Sequence, residues 1–393
     1  MKRFFIATTV LVTLLLGVQA QARDFSMFSL ENKVCYNRQN EPSTFVVDAH
    51  VHFQPFGGPA IPFDEMLGFL EKEQIYFVNI YGIGQKLPSK SPCTYYLNCP
   101  GTTVTPSVAN DFVNATNIAQ RLPDKLPKNI HLTLSMSFTN LAEPETIVPQ
   151  IELLDREFPG MFSWMGEINV VKQAIFPNGH FATPENDIEK WKAFMSIMEQ
   201  RNIPVSFHSD LGNDKEPTKY LPLMEEIMES YPGNIIIWHH LGLSKELTNL
   251  KPKRHIAILS KFLDRYANLY LDISWRVLYD NYFSKPKARK LYIEFMNKYH
   301  DRILPGTDFV ASENKNDKPK KDEDVICKNL PDSDKKLDEY KNAYKVYQKE
   351  VCINSFILKD LNDEAFRNIA LGQNYFNLLA LPNKAPDICG AQQ

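Results

Sequence analysis

After residue 17, no stretch of this 393-residue chain is apolar enough to span a bilayer. The one uncharged apolar run, residues 4–17, is itself shorter than the roughly 20 residues a spanning helix needs. Lys2-Arg3 precede it and the small-residue pattern Val18-Gln19-Ala20 follows it. Residues 1–22 are therefore expected to be a secretory signal peptide, with a membrane anchor as the alternative. No Cys follows the run directly, which argues against lipid attachment there. A basic excess is missing as well. Removing residues 1–22 takes two of the 44 basic residues and none of the 47 acidic ones, leaving a net charge of −5. A mildly acidic chain without a basic patch gives no reason to expect a nucleic-acid partner. The expected location is periplasmic or secreted, with no membrane association once the leader is removed.

Cysteine is scarce but even in number: Cys35, Cys93, Cys99, Cys327, Cys352 and Cys389. In an oxidising compartment such a set reads as disulfides, and free buried thiols are the alternative. Six cysteines allow fifteen pairings; the first choice is Cys93 with Cys99, which closes a short loop. An internal sequence repeat is also absent.

What the chain does have is alternation. Short apolar, β-rich runs stand near 45–51, 75–80, 131–137, 162–168, 203–208, 235–239, 269–273 and 302–307. Helical patterns fill the gaps at 64–73, 110–121, 145–158, 186–201, 218–231, 254–266 and 286–299, and a last one spans 363–379. Eight strands separated by helices predict a (β/α)₈ TIM barrel, a single domain over residues 23–393. The alternative is an open doubly wound sheet, but no glycine-rich phosphate loop follows the first strand. Two segments depart from the repeat. Residues 84–108 lack any period and are expected to form a lid or rim loop after strand 2. Residues 311–352 are an insertion after strand 8, opening with a run crowded with Lys and Asp and becoming helical from 337.

Barrel enzymes build their sites at the C-terminal ends of the strands. Strand 1 ends in Asp48-Ala49-His50-Val51-His52, where alternation puts both imidazoles on one face, within reach of one ion. Strand 4 ends in Gly166-Glu167, strand 5 in Phe207-His208-Ser209-Asp210, strand 6 in Trp238-His239-His240-Leu241-Gly242 and strand 8 in Pro305-Gly306-Thr307-Asp308. With the terminal Ile369-Ala370-Leu371-Gly372-Gln373-Asn374, these motifs in this order resemble the amidohydrolase superfamily, specifically its amidohydrolase-related branch. The resemblance covers nearly all of the mature chain.

It implies a metal site in which His50, His52 and Asp308 bind an ion while His208 and His240 complete the set. Glu167 stands where many relatives carry a carboxylated Lys or a Glu bridging two ions. Such ligands suit Zn²⁺, ahead of Mn²⁺ or Fe²⁺, in one or two copies. The ion would activate water, and Asp308, by position, would take its proton and pass it to the leaving group. Asp48 either orients an imidazole or fills the barrel floor. Neighbours on a strand point to opposite faces, so only one of His239 and His240 should enter the site; the His-Leu-Gly match selects His240, with His239 as the alternative. His131, His255 and His300 read as structural, and His180 lies on the active face without an assigned role. Arg276 can pair with a substrate carboxylate or phosphate, or with a neighbouring acid. Trp164, Trp238 and Trp275 either wall a pocket or pack the core.

The leading expectation is an exported metal-dependent hydrolase cleaving an ester, lactone, amide or related bond of a small molecule, as a monomer or homo-oligomer. A metal-dependent decarboxylase of an aromatic or vinylogous acid is the second reading. A non-catalytic binding protein on the same barrel is the third.

Overall fold

Each of the eight apolar runs becomes a strand, and the strands close on themselves. The computed structural model describes residues 24–93, 95, 99–137, 141, 143–312, 327 and 340–390. The expected leader at 1–22 and the Lys- and Asp-rich run at 314–322 lie outside the described residues. Strands β1 (Val47–His52), β2 (Phe77–Tyr81), β3 (His131–Met136), β4 (Phe162–Val171), β5 (Val205–Ser209), β6 (Ile236–Trp238) and β7 (Leu269–Asp272) lie parallel and side by side in chain order. The eighth run, 302–307, gives β8 (Ile303–Leu304), paired with β7, and is followed just beyond its end by β9 (Phe309–Val310), paired with β1.

The break between β8 and β9 is where the barrel closes. Pro305 has no N–H for a ladder, but its carbonyl accepts from Ala49 N at 3.0 Å, and Asp308 N donates to His50 O at 2.8 Å. Four residues thus cross from the last edge of the sheet to the first, and no edge remains to be covered. The result is the (β/α)₈ barrel expected from the alternation. Every residue of β1 and β2 is buried, as a wall packed on both faces requires.

Helices α1 (Phe63–Glu73), α2 (Ala109–Ala119), α3 (Ile147–Glu157), α4 (Lys192–Gln200), α5 (Leu221–Ser230), α6 (Pro252–Arg265) and α7 (Pro286–Lys298) follow β1 to β7 in turn. Their periodicity explains their placement. In α6, His255, Leu259, Phe262 and Leu263 form one buried face, and Pro252 opens the helix where its missing N–H costs nothing.

Beyond the repeat, α8 (Lys341–Leu358) packs on α1 through Tyr344, whose hydroxyl donates to Glu73 at 2.6 Å, and through Tyr347 against Phe69. It starts four residues later than the sequence pattern suggests and runs six further than 352. The loop at 84–108 carries more order than expected: Gln85–Lys86 pairs antiparallel with Thr105–Pro106. The C-terminal pattern is not one helix. It breaks at Gly372, where φ is 86° and a Cβ would lie 2.3 Å from Val47, before α9 (Gln373–Leu378). There the chain plugs the end of the barrel opposite the strand C-termini: Phe376 meets Phe77, Tyr375 bonds Thr133 at 2.6 Å, and Phe28 packs beside them. Disulfides join Cys35 to Cys389, Cys93 to Cys99 and Cys327 to Cys352, so the first-choice pair is present. Among the described residues no helix is long and apolar enough to cross a membrane.

Candidate metal centre

The mouth of the barrel gathers imidazoles whose outward nitrogens are already committed. His52 Nδ1 lies 3.0 Å from the carbonyl of Gly82, which can only accept, so Nδ1 carries the proton and Nε2 presents a lone pair. His50 Nδ1 lies 2.8 Å from Asp272 Oδ2, which fixes that ring in the same sense. The two Nε2 atoms are 3.3 Å apart, and each stands 3.3–3.4 Å from Asp308 Oδ1. A tetrahedral Zn²⁺ with bonds of about 2.1 Å separates its ligand atoms by roughly 3.4 Å. The triangle formed by these three atoms therefore has the edge length of a metal site.

Glu167 comes in from β4. Its Oε2 lies 3.9 Å from His52 Nε2, while Oε1 contacts His208 Nδ1 closely and lies 3.8 Å from His240 Nε2. His208 is held from behind by Asp210 Oδ1 at 3.0 Å from Nε2. His240 Nδ1 meets Ser274 Oγ at 3.0 Å, leaving its buried Nε2 without a hydrogen-bond partner. An unpartnered, buried lone pair is costly and marks a place for an ion or a bound ligand. Glu167, His208 and His240 thus form a second cluster with ligand atoms close enough for an ion. All six residues named from the sequence as ligands converge on one mouth, and the donor set fits a divalent metal.

The charges agree with this arrangement. Burial alone would raise Asp308, but its contact with His52 and the neighbouring imidazoles brings it down to about 2, so it is ionised at neutral pH. Burial disfavours a second proton on His50, yet Asp272, Asp308 and Glu167 outweigh it and lift His50 to about 9, so this anionic mouth draws a positive charge to Nε2, a proton that a metal ion would displace. Glu167 is held well below the carboxylate range against its own burial, chiefly by Lys172 and His208.

Several sequence expectations need correction. The alternation argument for His239 and His240 fails, because β6 ends at Trp238 and the chain turns with His240 and Leu241 both at φ 55°. Both rings consequently enter the barrel: His240 faces Glu167, and His239 sits beneath it, with Nε2 3.4 Å from Tyr81 and Nδ1 unpartnered. Asp48 reaches neither imidazole ring. Its carboxylate accepts from Thr307 N and Oγ at 2.9 and 2.7 Å and from Tyr347, pinning the closing strand to β1. Asp272 performs the orienting task instead, accepting from His240 N at 2.8 Å as well as from His50.

Lys172 was not anticipated either, and it places a buried ammonium 3.0 and 3.2 Å from the two oxygens of Glu167. Its separation of five from Glu167 would put the two on opposite faces of a regular strand. They meet because β4 ends at Val171.

The remaining residues are distributed as follows. His180 is buried beside the site and accepts from Lys172 N at 3.2 Å. His131 packs at the start of β3 against Phe77, His255 is bonded between Tyr292 and Leu241, and His300 bonds Asn368. Trp164 and Trp238 are core residues, whereas Trp275 covers the rings of His208 and His240. Arg276 is paired with Asp280 and Glu350. A cavity of about 200 Å³ opens beside the triangle, lined by Trp275, Arg276, Asp308 and, from α8, Val346 and Glu350. Asp308 is 13% exposed while the His50 and His52 side chains are at most 2% exposed, so Asp308 is the member of the triangle that the cavity reaches.

The amidohydrolase family model matches residues 173–349, a stretch holding His208, His240, Trp275, Arg276 and Asp308. With the barrel, this match makes the chain similar to the amidohydrolases over that stretch, and the mouth's His and Glu groups could hold a metal ion. No curated protein matches the chain. Among solved structures it is similar to an amidohydrolase from Burkholderia multivorans with bound zinc (10% identity, 86% of this chain and 100% of that one, TM-score 0.48). It is also similar to the dihydroorotase of Campylobacter jejuni (15% identity, 68% and 70% covered, TM-score 0.42) and to amidohydrolase 2 of Bifidobacterium longum subsp. infantis (10% identity, 86% and 99% covered, TM-score 0.33).

Proposed function

We propose that this chain is an exported hydrolase that cleaves an ester, lactone, amide or related bond of a small molecule at the barrel mouth. The observation that carries the reading is the triangle of His50 Nε2, His52 Nε2 and Asp308 Oδ1, with edges of 3.3–3.4 Å beside an open cavity. His50, His52 and Asp308 would hold the ion, with Glu167, His208 and His240 behind them, and Zn²⁺ is the metal that this donor set suits best. When bound, such an ion lowers the pKa of water toward about 7 and polarises the carbonyl to be attacked.

The chain's own residues do the rest. Asp308, ionised and facing the cavity, takes the proton of the attacking water and hands it to the leaving group. Asp272 and Gly82 keep His50 and His52 turned toward the mouth. Trp275 walls the cavity, and Arg276 stands where an anionic substrate group can be met. Export is supported by the leader pattern and the three disulfides.

The test is elemental analysis of purified protein with a hydrolase substrate screen, on wild type and Asp308→Asn. Stoichiometric transition metal and hydrolysis that falls at least about 100-fold in the variant are expected. Absence of both metal and turnover would sink the reading. Trp275 and Arg276 together on the cavity wall favour one second reading, decarboxylation of an aromatic acid, which CO₂ release in the same screen distinguishes.

A further inference from the structure

Glu167, read as a bridging residue, leads to an expectation of two ions. Lys172 argues for a different count. We propose that this chain binds a single ion, at His50, His52 and Asp308, and that the ammonium of Lys172 fills the place a second ion would take. The proposal rests on the metal-dependent reading above and concerns only how many ions that site holds.

The ligand cluster left for a second ion on that side of the mouth is Glu167, His208 and His240, where Glu167 Oε1 faces His208 Nδ1 and His240 Nε2. The Lys172 Nζ already sits 3.0 Å from that same Oε1 and 3.2 Å from Oε2, straddling the carboxylate. His208 is also engaged at both ring nitrogens, by Glu167 on one side and Asp210 on the other. A divalent cation placed there would share one oxygen with an ammonium in a buried, weakly screened setting, where like charges a few ångströms apart repel strongly.

The lysine is built into this position. Its backbone N–H donates to His180 Nε2 at 3.2 Å, and its Nζ lies 5.8 Å from the centre of the Phe56 ring. His180, which the ligand set leaves unused, thereby becomes a positioning residue for Lys172.

The experiment is metal counting on the full-length protein, saturated with Zn²⁺ and freed of unbound ion, for wild type, Lys172→Gln and Lys172→Arg. One ion per chain in wild type and in Lys172→Arg, rising to two in Lys172→Gln, is the expected result. Two ions in wild type overturn the proposal and leave the hydrolase reading intact. No ion in any form overturns both. A Lys172→Gln variant that stays at one ion overturns the assigned role of the ammonium. Should that variant not fold, anomalous scattering at the zinc edge from wild-type crystals decides the matter. Density at His50, His52 and Asp308 alone supports the proposal, and a further peak between His208 and His240 overturns it.

Discussion

At the scale of single residues, the site is governed by what stands behind each ring. An imidazole can offer either nitrogen, and the hydrogen bond on one side decides which lone pair faces the mouth. Asp272 does this for His50 and also receives His240 N, Ser274 N and Ser274 Oγ, so one carboxylate sets the His50 ring, anchors the backbone of His240 and holds the hydroxyl that meets the His240 ring. Asp272→Asn is expected to weaken Zn²⁺ binding by about 10- to 100-fold, measured by competition with a chelator of known affinity. An unchanged affinity would remove Asp272 from this role. A different carboxyl controls pH response. Burial raises Glu350 to about 7, against the pull of Arg276. Because the folded state then holds a proton more tightly than the unfolded chain, stability is highest below about pH 4.5, declines as pH rises toward 7 and stays low above it. The gap corresponds to at most on the order of 3 kcal/mol. Asp48, raised to about 6 by burial, adds a slope of the same sign, so the comparison with Glu350→Gln isolates Glu350. Urea denaturation at pH 5 and pH 8 should show a smaller loss in the variant; equal losses in both proteins would refute the assignment.

At the scale of elements, the strands were legible in the sequence because a parallel wall buried on both faces must read as an apolar run, and the observed strands fall within a few residues of those runs. The ligands were legible for a related reason, since side chains at strand C-termini define the mouth. What escaped the sequence were the points where regular geometry stops. The face assignment of His239 and His240 assumed a strand that ends one residue earlier, and Lys172 meets Glu167 only because β4 has run out. Asp272 and Ser274 escaped for lack of any local pattern, since their partners lie on β1 and in the turn after β6, more than thirty residues away. The break between β8 and β9 is the element on which the triangle depends most. Gly306 lets the closing strand approach β1: a Cβ there would lie 2.8 Å from His50 Cβ and 3.1 Å from Ser274 Cβ. Asp308, at φ 55°, follows two residues later. Gly306→Ala should therefore push β8 and β9 off β1, costing about 1–3 kcal/mol and lowering metal affinity together. Denaturation and chelator competition on the same preparation check this, and a variant with wild-type affinity would show that the close approach does not position the ligands.

At the scale of the whole molecule, the two ends of the barrel carry different duties. The mouth carries the chemistry, and the opposite end carries closure of the chain. Tyr36 N bonds Asp387 O at 2.7 Å, Cys389 N bonds Tyr36 O at 2.9 Å, and Cys35–Cys389 joins residues 354 apart in sequence. Cys93–Cys99 was legible because the two stand only six positions apart; the other pairs depend on a fold that brings distant segments together. A cross-link spanning so much of the chain restricts the unfolded ensemble strongly, and loss of a native disulfide typically costs about 2–5 kcal/mol. The segments it joins pack beneath the strand starts, where Val46 N meets Ala370 O at 3.3 Å and Phe28 packs on Phe77, away from His50, His52 and Asp308. The double variant Cys35→Ser, Cys389→Ser is thus expected to lose stability of that size in urea without changing the number of ions bound per chain. A loss of metal alongside stability would mean that the tie at the base reaches through the strands to the mouth, and that the two ends are not separable.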